Sequence, residues 1–167
     1  MPTHFFWAQI SPPRAHEILL SAQETNKKLY RTAVEVMAPN IGLRPHRVLE
    51  MPKVERHAAF AQMLARPQLE VLSFNLISHW LIENHSDLLA LWLDTLKIPH
   101  DGRGCANSFP PCPDEAVLRD GVKTLLEKYE PELVSMYLNA FNEIDEVHWP
   151  KLQEILSKEP RLQPAAA

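Results

Sequence analysis

Eight histidines and two cysteines are the most versatile side chains of this sequence, and their spacing limits what they can do. A di-iron bundle needs a Glu-x-x-His pair on each of two helices, because that spacing turns both ligands to one inward face. The sequence contains no Glu-x-x-His. The zinc-protease pattern His-Glu-x-x-His fails as well, since His16-Glu17 runs on into Ile18, Leu19 and Leu20. His79 and Glu83 stand four apart, so on a helix they share a face and can serve as two ligands or as one hydrogen-bonded pair. His85 follows just beyond them. A histidine within an apolar helix is more often a bonded core residue than a ligand.

The densest chemistry lies between His100 and Cys112, a stretch without helical periodicity and longer than most connections in helical bundles. His100, Asp101 and Arg103 are its candidate ligand-binding residues. Cys105 and Cys112, with His79 and His85, are the candidate metal ligands. The six residues between the cysteines are more than a zinc pair ordinarily spans, and the pattern is not the redox motif Cys-x-x-Cys. A Cys105 nucleophile would need His100 as its base, and a flexible connection between them gives no assured geometry. The plainer alternative is a proline-stiffened surface loop. No Gly-rich phosphate loop and no Gly-x-Ser-x-Gly elbow occurs, and no cofactor is implied.

The basic residues are densest over residues 44–57, with Arg44, His46, Arg47, Lys53, Arg56 and His57. Phosphate neutralisation is one use for such a run, but Glu50 and Glu55 interrupt it. No helix-turn-helix spacing, zinc finger or aromatic stacking surface accompanies it. A solvated or salt-bridged helix pair is the reading preferred over nucleic-acid binding.

Helices must position all of these groups. Four glycines leave little material for tight hairpins, while fifteen prolines mostly stand between apolar periodic stretches, where they open and close helices. Ser11-Pro12-Pro13 opens an amphipathic stretch that runs to Pro39-Asn40, burying Ile18, Ala22, Thr25, Leu29, Ala33 and Val36. Pro45 and Pro52 confine the next segment to short pieces. Further helices are expected over 53–65 (with Val54, Ala58, Ala61 and Leu64 inward), over 68–84, and from Ser86, Asp114, Pro131 and Pro150. The helix over 68–84 is apolar nearly all round and should be central.

Shifting the sequence by 45 residues lays Ile77 on Val122, Trp80 on Leu125, Leu88 on Leu133 and Trp92 on Tyr137. This weak repeat suits either a duplicated helical hairpin or the chance match of two amphipathic helices. The expectation is an all-α protein of about six to seven helices: an antiparallel bundle or a short stack of helical hairpins. It comprises a single domain over 1–160 and a frayed tail over 161–167.

Composition sets the remaining bounds. Hydrophobic residues make up 46% and charged residues 23%, as in ordinary globular proteins. The longest apolar segment, near 71–82, is broken by Ser73, Asn75, Ser78 and His79 and falls short of a membrane span. With two cysteines and no signal-peptide pattern, the expected location is the cytoplasm. The net charge of −4 is uneven, since residues 1–66 carry +4 and the remainder is acidic. Without a catalytic signature, the first expectation is a module that binds a protein partner or self-associates, with Trp7, Trp80, Trp92, Trp149, Phe5 and Phe6 as anchors. A small-ligand or metal protein (an enzyme included) built on the 100–112 loop is the alternative from another class, and nucleic-acid binding through 44–57 the third.

Overall fold

The computed structural model describes residues 1–163, and within them every regular element is helical. The all-α expectation holds, in a form compatible with a helical bundle. Ten α-helices and two 3-10 turns occur among the described residues, more than the six or seven expected. Short helices at His4–Trp7 (α1) and Pro45–Glu50 (α4) account for part of the excess. None of the described helices is long and apolar enough to cross a membrane. The chain divides into two compact units, Thr3–Trp80 and the part from Leu81 onward together with Met1–Pro2.

In the first unit, the long helix expected from residue 12 is two helices, Pro12–Thr25 (α2) and Lys27–Asn40 (α3). Ser11 caps α2 by accepting the Arg14 N–H. Asn26 ends it, with φ −140° and ψ 75°, and its side chain accepts the Leu29 N–H at 3.1 Å to start α3. An Asn that satisfies an orphan N–H can break a periodic run without proline or glycine. The break resets the helical phase. The inward face of α3 is therefore Tyr30, Ala33, Val34 and Met37, rather than Leu29, Ala33 and Val36.

Lys53–Leu64 (α5) packs on both α2 and α3, but on a different face from the one expected. Val54 and Ala58 are exposed, while Arg56, His57, Phe60, Met63 and Leu64 are buried. After a 3-10 turn at Pro67–Leu69 comes Glu70–Asn84 (α6). Glu70 ties the start of the unit down, accepting from Thr3 N–H at 2.7 Å, Thr3 Oγ1 at 2.6 Å, His4 N–H at 2.9 Å and His4 Nδ1 at 2.5 Å. Burial acts to raise this carboxyl's pKa, yet the Thr3 and His4 hydrogen bonds together hold it below the usual range.

The second unit contains Ser86–Thr95 (α7), Glu115–Lys128 (α8), Pro131–Asn142 (α9) and Pro150–Lys158 (α10). Its central helix is α9, buried at every residue from Leu133 to Asn142. The expectation that residues 68–84 would hold the central place fails, because Val71, Asn75 and Glu83 of α6 are exposed. Apolarity nearly all round marked residues 68–84, but the helix buried along almost its whole length is α9. Around Phe141 stand Trp92, Phe109, Tyr137 and Trp149, with ring centroids 5.3–6.0 Å away. Helices α6 and α8 begin at Glu70 and Glu115, and α7 and α9 at Ser86 and Pro131, so both pairs keep the 45-residue offset of the sequence repeat.

Of residues 161–163, placed in the tail by the sequence, Arg161 and Gln163 are exposed and Leu162 is held. Pro160–Leu162 forms a 3-10 turn, Leu162 is buried, and its carbonyl accepts Ser135 Oγ at 2.9 Å. The rest of that expectation, 164–167, lies outside the described residues.

Candidate functional site

The 100–112 loop spends its polar groups on its own backbone and on the carboxylates of Asp94 and Glu83. The Asp101 carboxylate accepts the N–H groups of Arg103 at 2.8 Å and Cys105 at 3.1 Å, and the Asp101 N–H donates to the Cys105 carbonyl at 3.0 Å. This is a local turn of the kind Asp favours, and the Cys105 and Arg103 N–H groups hold its carboxyl below the ordinary range. His100 Nδ1 accepts the Gly102 N–H at 3.1 Å, which leaves the ring hydrogen on Nε2 to be donated to Asp94 at 2.9 Å. Arg103 reaches Glu83 at 3.6 Å. The three candidate ligand contacts are thus adjacent, and each already has a partner.

A backbone contact explains why the loop lies where it does. Gly104 has φ +83°, and a Cβ there would overlap Leu89 Cβ and come within 2.8 Å of Ala90 N. Only glycine lets the loop backbone touch α7 this closely.

The four candidate metal ligands are placed apart in function. His79 Nε2 meets Thr25 Oγ1 at 2.7 Å in the first unit. His85 precedes α7 in the second. Cys105 is an exposed free thiol, and half-buried Cys112 makes a weak contact with the Pro113 carbonyl at 3.6 Å. Among the described residues no three His, Cys, Asp or Glu side chains form a group able to hold a metal ion. Burial and then the Asp101 charge push the Cys105 thiol up, against Arg103, which is the opposite of what an activated thiolate requires.

A different constellation forms inside the first unit, from residues far apart in sequence. Arg56 and His57 of α5 are 2% and 1% exposed. They meet Tyr30 of α3 and His16 of α2. Arg56 Nε donates to Tyr30 Oη at 2.8 Å, Tyr30 Oη meets His57 Nε2 at 2.9 Å, and His57 Nδ1 meets His16 Nδ1 at 2.9 Å. Arginine can only donate, so Tyr30 accepts from it and has its own hydrogen left for His57 Nε2. His57 then carries its hydrogen on Nδ1 and donates to His16, whose Nδ1 accepts. The four residues therefore form one directed chain with every shared hydrogen accounted for.

The other side of Arg56 holds a helix end. Its Nη1 donates to the carbonyls of Leu49 at 2.8 Å, Met51 at 3.3 Å and Val48 at 3.5 Å. These belong to the last turn of α4 and the residue after it, at the negative end of the helix dipole, and of them the Val48 carbonyl also accepts the Met51 N–H at 3.2 Å. Among the described residues no carboxylate pairs with Arg56, so backbone oxygens and the Tyr30 hydroxyl carry its charge. Burial, followed by His16, Arg56 and Lys53, pushes His57 down to about 4. Burial raises Tyr30 against the opposing effect of Arg56.

The sequence places Arg56 and His57 in a solvated basic segment, excludes His16 from a zinc-protease motif and gives Tyr30 no role. One signal was present: counting back from Phe60 and Leu64 in steps of three and four leads to Arg56 and His57. A competing face, Val54-Ala58-Ala61, looked more apolar and masked it.

What Arg56 holds is an exposed corner. Across residues 43–55 only Val48 is buried and Met51 is half-buried. Leu43, Leu49 and Val54 are 40%, 52% and 69% exposed, three of the six large hydrophobic residues exposed among the described residues. Around them stand Arg44, His46, Lys53 and Arg47, the last paired with Glu50 at 2.7 Å. The tryptophans expected as interface anchors are elsewhere: Trp7, Trp80, Trp92 and Trp149, with Phe6, are all core residues, and only Phe5 of that set is exposed.

No protein-family model, curated protein or solved structure matches the chain.

Proposed function

We propose that the protein is an interaction module that binds a protein partner through the α4–α5 corner, residues 43–54, and that the partner segment is apolar on one side and acidic around it. The observation supporting this is the density of Leu43, Leu49 and Val54 on one short, basic, exposed stretch. Singly scattered apolar residues need no explanation, whereas a cluster rimmed by charge is the usual form of a docking surface. The sign of the partner follows from Arg44, His46 and Lys53. The charge of the whole unit agrees, with nine Lys/Arg against six Asp/Glu in Thr3–Trp80, a net of +3.

A nucleic acid fits the same corner less well. Arg56 and His57 are buried and Arg47 pairs with Glu50, so the cations free to meet phosphates shrink to a sparse set.

The test uses a labelled synthetic peptide with leucines at helical spacing and glutamates elsewhere, beside a control in which lysines replace the glutamates. Saturable binding of the acidic peptide, amide shifts confined to residues 43–55, and loss of both in the double variant Leu49→Glu/Val54→Glu are expected. Shifts located elsewhere, or equal binding of the two peptides, would overturn the assignment. Native mass spectrometry on the same sample identifies a second copy of the chain if that is the true occupant.

A further inference from the structure

We infer that His16 and His57 form an acid-sensitive latch on this corner: when the pair takes up a proton, the hydrogen-bond chain beside Arg56 loses its direction, an unpaired hydroxyl or a second cation is left against Arg56, and the corner that Arg56 holds loosens. The consequence for binding rests on the docking reading above, while the latch itself does not.

Hydrogen count decides what a proton does here. In the directed chain, Tyr30 gives its hydrogen to His57 and His57 gives its own to His16. A proton added to His16 Nδ1 places two hydrogens in the 2.9 Å gap between the Nδ1 atoms. To relieve this, His57 must change tautomer and donate from Nε2 to Tyr30. Tyr30 then receives from both Arg56 and His57, and its own buried hydrogen has no acceptor. If the proton rests on His57 instead, a buried imidazolium lies one hydroxyl away from the Arg56 guanidinium. In each case the cost falls beside Arg56, as an unpaired Tyr30 hydrogen or as a second buried cation, and Arg56 is what holds Leu49 and Met51.

No neighbouring group compensates the added charge. From α5 itself the nearby charges are Arg56 and Lys53, both cationic, while Glu55 is exposed. From α2, Glu17 is engaged by Arg14 at 2.8 Å and by Trp80 Nε1 at 3.2 Å. From α3 comes only the Tyr30 hydroxyl. His4 of α1 is bound to Glu70, and on α4 the Arg47–Glu50 pair is exposed. The cluster already holds one buried cation. A second, introduced by acid, weakens the hold on the corner, and an unfixed corner must be ordered again before it can bind.

Hydrogen exchange of the free protein tests the latch directly, and titration with the acidic peptide tests its consequence. Both compare wild type with His16→Gln, whose side-chain oxygen can accept the His57 hydrogen but does not titrate. Between about pH 7.5 and about pH 4, the value to which His57 is lowered, wild-type amides at 48–52 should lose about tenfold in protection after correction for intrinsic exchange. Peptide affinity should fall by about tenfold. His16→Gln should hold both values level. Equal pH trends in the two proteins, or a wild-type loss at 48–52 no larger than that over the rest of the unit, would overturn the latch. A failure of the peptide to bind at neutral pH would count against the docking reading alone, because exchange is read without it. Should His16→Gln not fold, His57→Gln, which can both accept from Tyr30 and donate to His16, takes its place.

Discussion

The 100–112 loop and the interior of the α2–α3–α5 cluster contain similar side chains, His with Asp, Arg and Cys in one and His with Tyr and Arg in the other. In the loop the chemical groups are neighbours along the chain, and they bond to one another's backbone, as Asp101 does to Arg103 and Cys105. In the cluster they come from three helices, with 14 residues or more between the helices' contributions, and they bond through side chains into a chain that runs from His16 to the α4 carbonyls. Density of polar residues in sequence therefore marked a turn, while convergence in space marked the site. The energetics differ in the same sense. Exposed groups such as Arg103 exchange one solvated state for another, whereas Arg56 and His57 are removed from water and each lost partner leaves an unsatisfied group.

The largest expected effect is a backbone one. Gly104→Ala places a Cβ on Leu89 and strains a residue at φ +83°, and should cost about 4 kcal/mol in urea denaturation. A loss below about 1 kcal/mol would mean that the loop is not clamped on α7.

Next come the two arginines. Arg56→Met should destabilise the protein by about 3 kcal/mol, since it orphans the Tyr30 hydroxyl and the α4 carbonyls. Arg103→Met should change stability by no more than about 0.5 kcal/mol, because its ion pair with Glu83 is largely exposed. Equal effects would remove the distinction between the two regions.

Smaller than the Arg56 effect, though larger than that of Arg103, is the effect on the pH dependence of stability. His57 lies at about 4 in the folded protein against 6.5 in the unfolded chain. As pH falls, the unfolded state takes up its proton first, so the contribution is intact above about 6.5, declines between about 6.5 and about 4, and is constant below. His57→Gln should flatten that decline by about 2 kcal/mol in thermal or urea unfolding followed across the range. Glu70, whose folded pKa is lowered, adds its own loss at lower pH, and this remains in the variant.

Much of the fold was legible because its signals are local. Helix starts at Ser11-Pro12, Asp114-Glu115, Glu130-Pro131 and Trp149-Pro150 follow from caps and proline geometry alone, and the structure begins helices at each. The break at Asn26 was not legible, since one Asn inside a periodic run interrupts it only if its side chain turns to cap the next helix. Nor was the inward face of α5. Hydrophobicity alone favours Val54 and Ala58, and burial of Arg56 and His57 is favourable only because Tyr30 and His16 arrive from other helices to bond them. The side chains that form the site are those whose burial depends on long-range partners, which a reading of local pattern does not contain.

The most direct measurement is two-dimensional nitrogen-15 NMR of the histidine side chains near neutral pH, which reports which ring nitrogen carries hydrogen. The directed chain requires His57 with its hydrogen on Nδ1 and His16 with its hydrogen on Nε2. The opposite tautomers, or a His57 imidazolium at neutral pH, would contradict the chain and with it the latch on the α4 corner.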